Sequence, residues 1–246
     1  MDPESRKAMN AHYSELLARH GPTPEALAYR CEQQMTKRYA LLAEVEPLPA
    51  RASVLDVGCG LGHFCDYLRA YGWRGTYTGL DINADMVAAA RERLDGETFL
   101  CLDLLDQDPP ARYDYVFCGA TVEHRPAHGD PVAYLRAMVE RMFAFTDRAL
   151  AFDVFSARAE FENPDNLYVA PERLLEIGYA LTKRLVLRND ARPYELMMYL
   201  YRPQDTDAYN IFSAWTPRGP QIVDEPPSTP PPSSAEESAG DAGSER

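Results

Sequence analysis

Asp56, Gly58, Cys59, Gly60 and Gly62 stand together in the run Val54-Leu55-Asp56-Val57-Gly58-Cys59-Gly60-Leu61-Gly62. Glycines at a strand-to-helix junction let the main chain turn sharply and let a ligand come close to the backbone. The helix that follows offers unpaired N–H groups. About twenty residues on, Asp81 ends the run Thr76-Tyr77-Thr78-Gly79-Leu80-Asp81-Ile82. From a neighbouring strand tip its carboxylate can accept both hydroxyls of a ribose. These features together point to a nucleoside-containing ligand across the carboxyl ends of two adjacent strands.

Dinucleotide sites space their glycines G-x-G-x-x-G around a pyrophosphate. Here the spacing is G-x-G-x-G, and Asp56 precedes the first glycine by two positions. An anion beside the turn is a poor neighbour for a pyrophosphate and a good one for an amino-acid ammonium. That difference favours S-adenosylmethionine over NAD and leaves a dehydrogenase as a distant alternative. Elsewhere, His63 is expected to face the ligand, whereas His12, His20 and His128 read as surface residues. The cysteines, at 31, 59, 65, 101 and 118, lack C-x-x-C spacing. They read as reduced thiols of a cytoplasmic protein, with neither a disulfide framework nor a metal site.

The elements that must hold these groups alternate. Residues 1–46 read as helical, with Tyr13, Leu16 and Leu17 on one helix. After Gly21-Pro22, a second helix capped by Thr23 carries Leu27, Cys31, Met35, Tyr39 and Leu42 on one face, and Pro47 and Pro49 end it. Short apolar strands are expected at 53–57, 76–80, 97–101, 113–118 and 149–155, with helices at 84–94, 131–145 and 171–178. Runs 182–188 and 195–201 are close enough to form an antiparallel pair. Alternating strands and helices predict a doubly wound α/β sheet of parallel units.

The chain has 246 residues, 46% of them apolar, which is enough for a substantial core. It offers neither an apolar secretory core at its start nor an apolar run long enough to span a membrane. Its net charge is −13, and the stretch 203–246 has only Arg218 and Arg246 as cations. Nucleic acid is therefore a disfavoured partner. The proline- and serine-rich end is expected to be disordered from about residue 218.

Val54–Gly62 resembles the first motif of class I S-adenosylmethionine-dependent methyltransferases, and Tyr77–Ile82 resembles the second, with its ribose-binding acid. Leu102-Asp103-Leu104 is similar to the segment that flanks adenine, where an acid placed like Asp103 accepts from the amino group. The resemblance covers about residues 50–202. It implies a Rossmann-like sheet of seven strands with a final antiparallel strand. The cofactor contacts it implies are Asp56, Gly58, Cys59, Gly60, Gly62, Asp81, Ile82, Leu102, Asp103, Leu104 and Gly119.

In that family the loop after strand four passes near the methyl group. Here it reads Gly119-Ala120-Thr121-Val122-Glu123-His124-Arg125, which makes His124 and Glu123 the candidates for a base or an orienter. Either is also readable as an exposed loop residue or a helix cap. Cys118-Gly119-Ala120-Thr121 replaces the Asn/Asp-Pro-Pro-Tyr of amide and adenine methylation and argues against those acceptors. Tyr168 and Arg192 are candidate substrate contacts, Arg192 as a carboxylate clamp in the hairpin Arg192-Pro193-Tyr194-Glu195. Gln34 and Arg38, one turn apart, are expected either to face the cofactor's carboxylate or to be solvated. The whole is also similar to bacterial small-molecule methyltransferases with a helical N-terminal cap.

The expected organisation is a helical cap at 1–48, a methyltransferase domain at 49–204 and an acidic tail at 205–246. The expected activity is methyl transfer to a small-molecule acceptor. A protein or RNA acceptor, or a catalytically inactive binder of the cofactor, are the alternatives.

Overall fold

The computed structural model describes residues 2–203; the stretch 205–246, expected to be disordered, lies outside the described residues. Eight strands form one sheet: β1 (Val54–Val57), β2 (Tyr77–Asp81), β3 (Thr98–Cys101), β4 (Tyr113–Cys118), β5 (Thr146–Ser156), β6 (Tyr168–Val169), β7 (Leu185–Arg188) and β8 (Glu195–Tyr201). The order is β3-β2-β1-β4-β5-β8-β7, with the short β6 against the end of β5. All pairings are parallel except those of β8 with β5 and β7. This is the expected Rossmann-like sheet with its late antiparallel strand. The two-residue β6 is an addition too short for a periodic pattern to announce.

Both faces of the sheet are covered, so the strands read as apolar runs. Within each strand the alternation still sorts side chains between two cores. Leu55, Val57, Val116, Cys118, Leu150, Phe152, Leu196 and Met198 share one core with α5 (Pro131–Ala144) and α6 (Pro171–Tyr179). Val54, Tyr115, Phe117, Ala149, Ala151, Met197 and Tyr199 share the other with α2 (Glu32–Ala43), α3 (His63–Ala70) and α4 (Ala84–Arg93). Asp153 and Glu195 keep the parity of this second face, beneath α2.

Local chemistry starts the helices. Proline occupies the first turn of α1 (Pro3–His20), α5 and α6, where its missing N–H costs nothing. Asp2, Asn83 and Asp130 cap α1, α4 and α5 through their side chains.

The second N-terminal helix departs from its expected course. Pro24–Leu27 forms only a single 3-10 turn. Ala28 then takes a left-handed φ of 60°, and α2 starts at Glu32. The four-residue rhythm of Leu27, Cys31, Met35 and Tyr39 spans this break. It persists because Leu27 packs on the glycine turn while Met35 and Tyr39 pack on the sheet, two separate demands for apolar groups.

Helix α1 has no fully buried residue. Tyr13 and Leu17 pack on Ala26, Leu61 and Met86, and polar bonds hold the rest: Asn10 Nδ2 donates to the Ile82 carbonyl at 3.2 Å, and Ser14 Oγ donates to Asp85 at 2.6 Å. Among the described residues, no helix is long and apolar enough to cross a membrane.

Candidate active site

The strand order reverses between β1 and β4, which opens a crevice at the carboxyl ends of the strands, the usual place for a ligand in such sheets. The cleft there encloses about 1090 Å³ of space, its mouth included.

Its floor is the glycine turn. The N–H groups of Gly58 and Cys59 both donate to the Leu80 carbonyl, at 2.7 and 2.9 Å, which pins the turn to β2. Gly58, Gly60 and Gly62 have φ values of 77°, 50° and 75°. A Cβ on Gly58 would lie 1.8 Å from Thr121 Oγ1, and one on Gly60 would lie 2.6 Å from Leu27 Cδ2. The turn thus needs glycine for its conformation and again for the closeness of the loop after β4.

Asp81 sits at the tip of β2. Its Oδ2 accepts the Gly60 N–H at 2.9 Å and its Oδ1 accepts the Asn83 N–H at 2.8 Å. Burial pushes its carboxyl up, while these N–H donors pull it back. Asp56 accepts the Tyr77 hydroxyl at 2.5 Å. Burial lifts its carboxyl from 3.8 to about 7, against the Tyr77 bond and with help from Asp81. Asp103 caps its own turn by accepting the Leu105 N–H at 2.9 Å, and Arg6 of α1 reaches it at 2.7 Å.

All but one of the expected cofactor contacts line this cleft: Asp56, Gly58, Cys59, Gly60, Asp81, Ile82, Leu102, Asp103, Leu104 and Gly119. Gly62 lies behind it as the N-cap of α3, packed against Leu94 and Phe99. His63 is also outside the lining and lies 3.8 Å from Asp66.

The acceptor-side candidates separate. His124 lines the cleft, and its Nε2 lies 3.0 Å from the hydroxyl of Tyr13. Glu123, its neighbour, points into the protein and meets Arg38 at 3.1 Å. Arg38 is only 4% exposed and also meets Asp153 and Glu195, each at 2.9 Å. Arg38 is therefore neither solvated nor in the cleft; it is held by acids from the loop after β4, from β5 and from the start of β8. Gln34 contributes its side chain to the Arg30 N–H and its carbonyl to Arg192. Burial lifts Glu123 to about 8 despite the opposing pull of Arg38. Carboxylate oxygens of Glu123, Asp153 and Glu195 lie within 4.8 Å of one another, with Arg38 bound to all three.

Arg192 grips Glu195 at 2.8 and 2.9 Å, outside the cleft, because the hairpin folds back over the end of β8. Tyr168 is outside it as well; its hydroxyl accepts the Asn163 N–H at 2.9 Å and its ring stacks on Phe155.

Reading the sequence alone misses Asn10, Tyr13, Tyr29 and Asn83, all of which line the cleft. The available signal was α1 itself: a helix without an apolar stripe must be held by polar contacts to something specific.

The site suits an S-adenosyl ligand on this structure's own terms. A half-buried carboxylate, Asp81, faces the cleft from β2, and Asn10 Oδ1 is buried without a hydrogen-bond partner at the same wall. The glycine turn keeps side chains out of the space between them.

The comparisons agree with this geometry. Residues 55–143 match a methyltransferase-domain family. A methyltransferase homologue of Mycobacterium tuberculosis is 28% identical over 151 residues, 60% of this chain and 88% of the relative. A trans-aconitate 2-methyltransferase of Rhodopseudomonas palustris is 38% identical over 88 residues, 36% of this chain. The chain spans only 34% of that relative's length. Among solved structures, magnesium protoporphyrin IX methyltransferase from Synechocystis, with bound S-adenosylhomocysteine, superposes with a TM-score of 0.53 at 22% identity. That likeness covers 70% of this chain and 83% of the other.

Proposed function

We propose, from the premise that the chain is a class I S-adenosylmethionine-dependent methyltransferase, that it methylates a small-molecule acceptor. One observation carries the small-molecule reading. The space beside the glycine turn is roofed by residues of the chain's own N-terminal segment, including Met9, Tyr13, Leu27, Tyr29 and Tyr39. A roofed, largely apolar cavity with a few convergent polar groups suits a small ligand; a polymer needs an open trough.

The bound cofactor supplies an electrophilic methyl on a positively charged sulfur. The protein's work is then to position and desolvate a nucleophile. Asp81 takes the ribose hydroxyls, Asp103 the adenine amino group, and Asp56 with the glycine turn the amino-acid end. With the three carboxylates given to the cofactor, His124 is the remaining group in the cleft able to accept a proton. Glu123 acts as a positioning residue, fixing the loop after β4 against Arg38.

The direct test is release of S-adenosylhomocysteine from S-adenosylmethionine when small metabolites are offered. Product formation with a small acceptor supports the reading. Turnover only with proteins or RNA, or cofactor binding without turnover, overturns it.

A further inference from the structure

We propose that the acceptor is an uncharged or cationic molecule presenting a hydroxyl or an amine, and that its proton leaves through Tyr13 and His124. The inference rests on the methyltransferase reading and names the class of substrate that this cleft takes. Methylation of a carboxylate does not fit.

The first observation is the charge of the walls. Among the described residues, no lysine or arginine lines the cleft, whereas Asp56, Asp81 and Asp103 do. The nearby cations are already engaged. Arg6 bridges Asp103 and Asp106 at 2.7 and 2.9 Å. Arg38 and Arg192 are ion-paired to Glu123, Asp153 and Glu195, and neither lines the cleft. A carboxylate entering this cleft would lose water and find no cation to replace it.

The second observation is the Tyr13–His124 pair. Tyr13 Oη and His124 Nε2 are 3.0 Å apart, the rings meet edge-on at 84°, and both side chains line the cleft. Burial lowers the imidazole from its usual value, with His12 adding to the effect and Asp165 opposing it. The ring is therefore neutral at pH 7. Burial, with Glu123 and Asp81, lifts Tyr13 to about 12, while Arg38 opposes. Tyr13 thus holds its proton, and with the imidazole proton on Nδ1 the hydroxyl donates to Nε2. A carboxylate nucleophile carries no proton at neutral pH, so such a pair would have nothing to accept from it. A hydroxyl or an ammonium does carry one.

The step balances as follows. The acceptor's O–H or N–H bond breaks as its oxygen or nitrogen bonds to the methyl carbon. The proton passes to Tyr13 Oη as the Tyr13 proton passes to Nε2, leaving an imidazolium. The electron pair of the broken carbon–sulfur bond stays on sulfur. The aromatic walls of Tyr29 and Tyr39 accommodate an apolar skeleton or an ammonium.

Two measurements on the full chain test the proposal, after calorimetry has established that S-adenosylhomocysteine binds. Failure of that binding would sink the methyltransferase reading itself. First, the loaded protein is titrated at pH 7.5 with 3-phenylpropan-1-ol, 3-phenylpropylamine and 3-phenylpropanoate. The alcohol or the amine should bind at least tenfold more tightly than the carboxylate. Equal affinities, absence of binding by all three included, overturn the inference.

Second, NMR of histidine-labelled protein follows the His124 imidazole. It should titrate below the ordinary value and move upward in Tyr13→Phe, with S-adenosylhomocysteine affinity retained. An imidazole indifferent to Tyr13→Phe removes the relay.

Discussion

Arg38 and Asp153 meet at 2.9 Å in the interior, guanidinium Nη1 to carboxylate Oδ2. Asp153 also accepts the Ala120 N–H at 2.8 Å, so the pair ties α2 to the loop that carries His124. Replacing Arg38 with Met leaves buried Glu123 and Asp153 without their ion-pair partner and Glu195 with Arg192 alone. Breaking a buried ion pair from one side costs about 3–5 kcal/mol. Urea unfolding of Arg38→Met should show a loss of that order, with a larger loss at pH 8 than at pH 5, where the acids protonate.

Asp56 governs part of the pH dependence. Its carboxyl is lifted in the folded state to about 7 from an ordinary 3.8. A raised acid favours folding while it is protonated. Its contribution is complete below the unfolded value and is lost as pH rises through the folded one. The protein without cofactor should therefore lose stability from this group between about pH 4 and 7. Asp56→Asn should narrow the difference between urea midpoints measured at pH 4 and at pH 7.5.

Gly58→Ala should close the floor of the cleft. The left-handed backbone alone costs roughly 1–2 kcal/mol for a residue with a Cβ. The new carbon would also strike Thr121, whose hydroxyl bonds to the Val57 and Gly119 carbonyls at 3.2 Å. Thermal unfolding should report the lower stability, and calorimetry an S-adenosylhomocysteine affinity reduced more than tenfold.

Asn83 does two jobs with one side chain. Its Oδ1 caps α4 by accepting the Asp85 and Met86 N–H groups at 2.9 and 3.1 Å. Its Nδ2 donates to the Asn10 carbonyl and to Ser14 Oγ on α1, at 2.9 and 3.1 Å. Asn83→Ala should cost about 1 kcal/mol for the lost cap. Hydrogen exchange should quicken along α1 around Asn10 and Ser14, the two residues that Asn83 holds.

The parts of the site legible in the sequence are those set by local backbone demands. Gly58 and Gly60 announce a turn that only glycine makes comfortably, and Asp81 stands at a fixed distance from it along the chain. The strands showed themselves because both faces are buried. The rest depends on encounters between distant segments. Arg38 finds Glu123, Asp153 and Glu195 only once α2 lies over the carboxyl ends of β4 and β5 and the amino end of β8. Tyr13 reaches His124 across more than a hundred residues. The break at Ala28 was hidden because Leu27 keeps the helical rhythm for a different reason, its contact with Gly60.

The central claim is that the bent backbone at Gly58–Gly62 and the acid at residue 81 hold an S-adenosyl nucleoside. Titration calorimetry of wild type and Asp81→Ala with S-adenosylhomocysteine tests it most directly. Wild type should bind saturably, and the variant should bind about 1–3 kcal/mol more weakly for loss of its charge-assisted bonds. Absence of saturable binding by wild type, or a variant that binds as tightly, would contradict it.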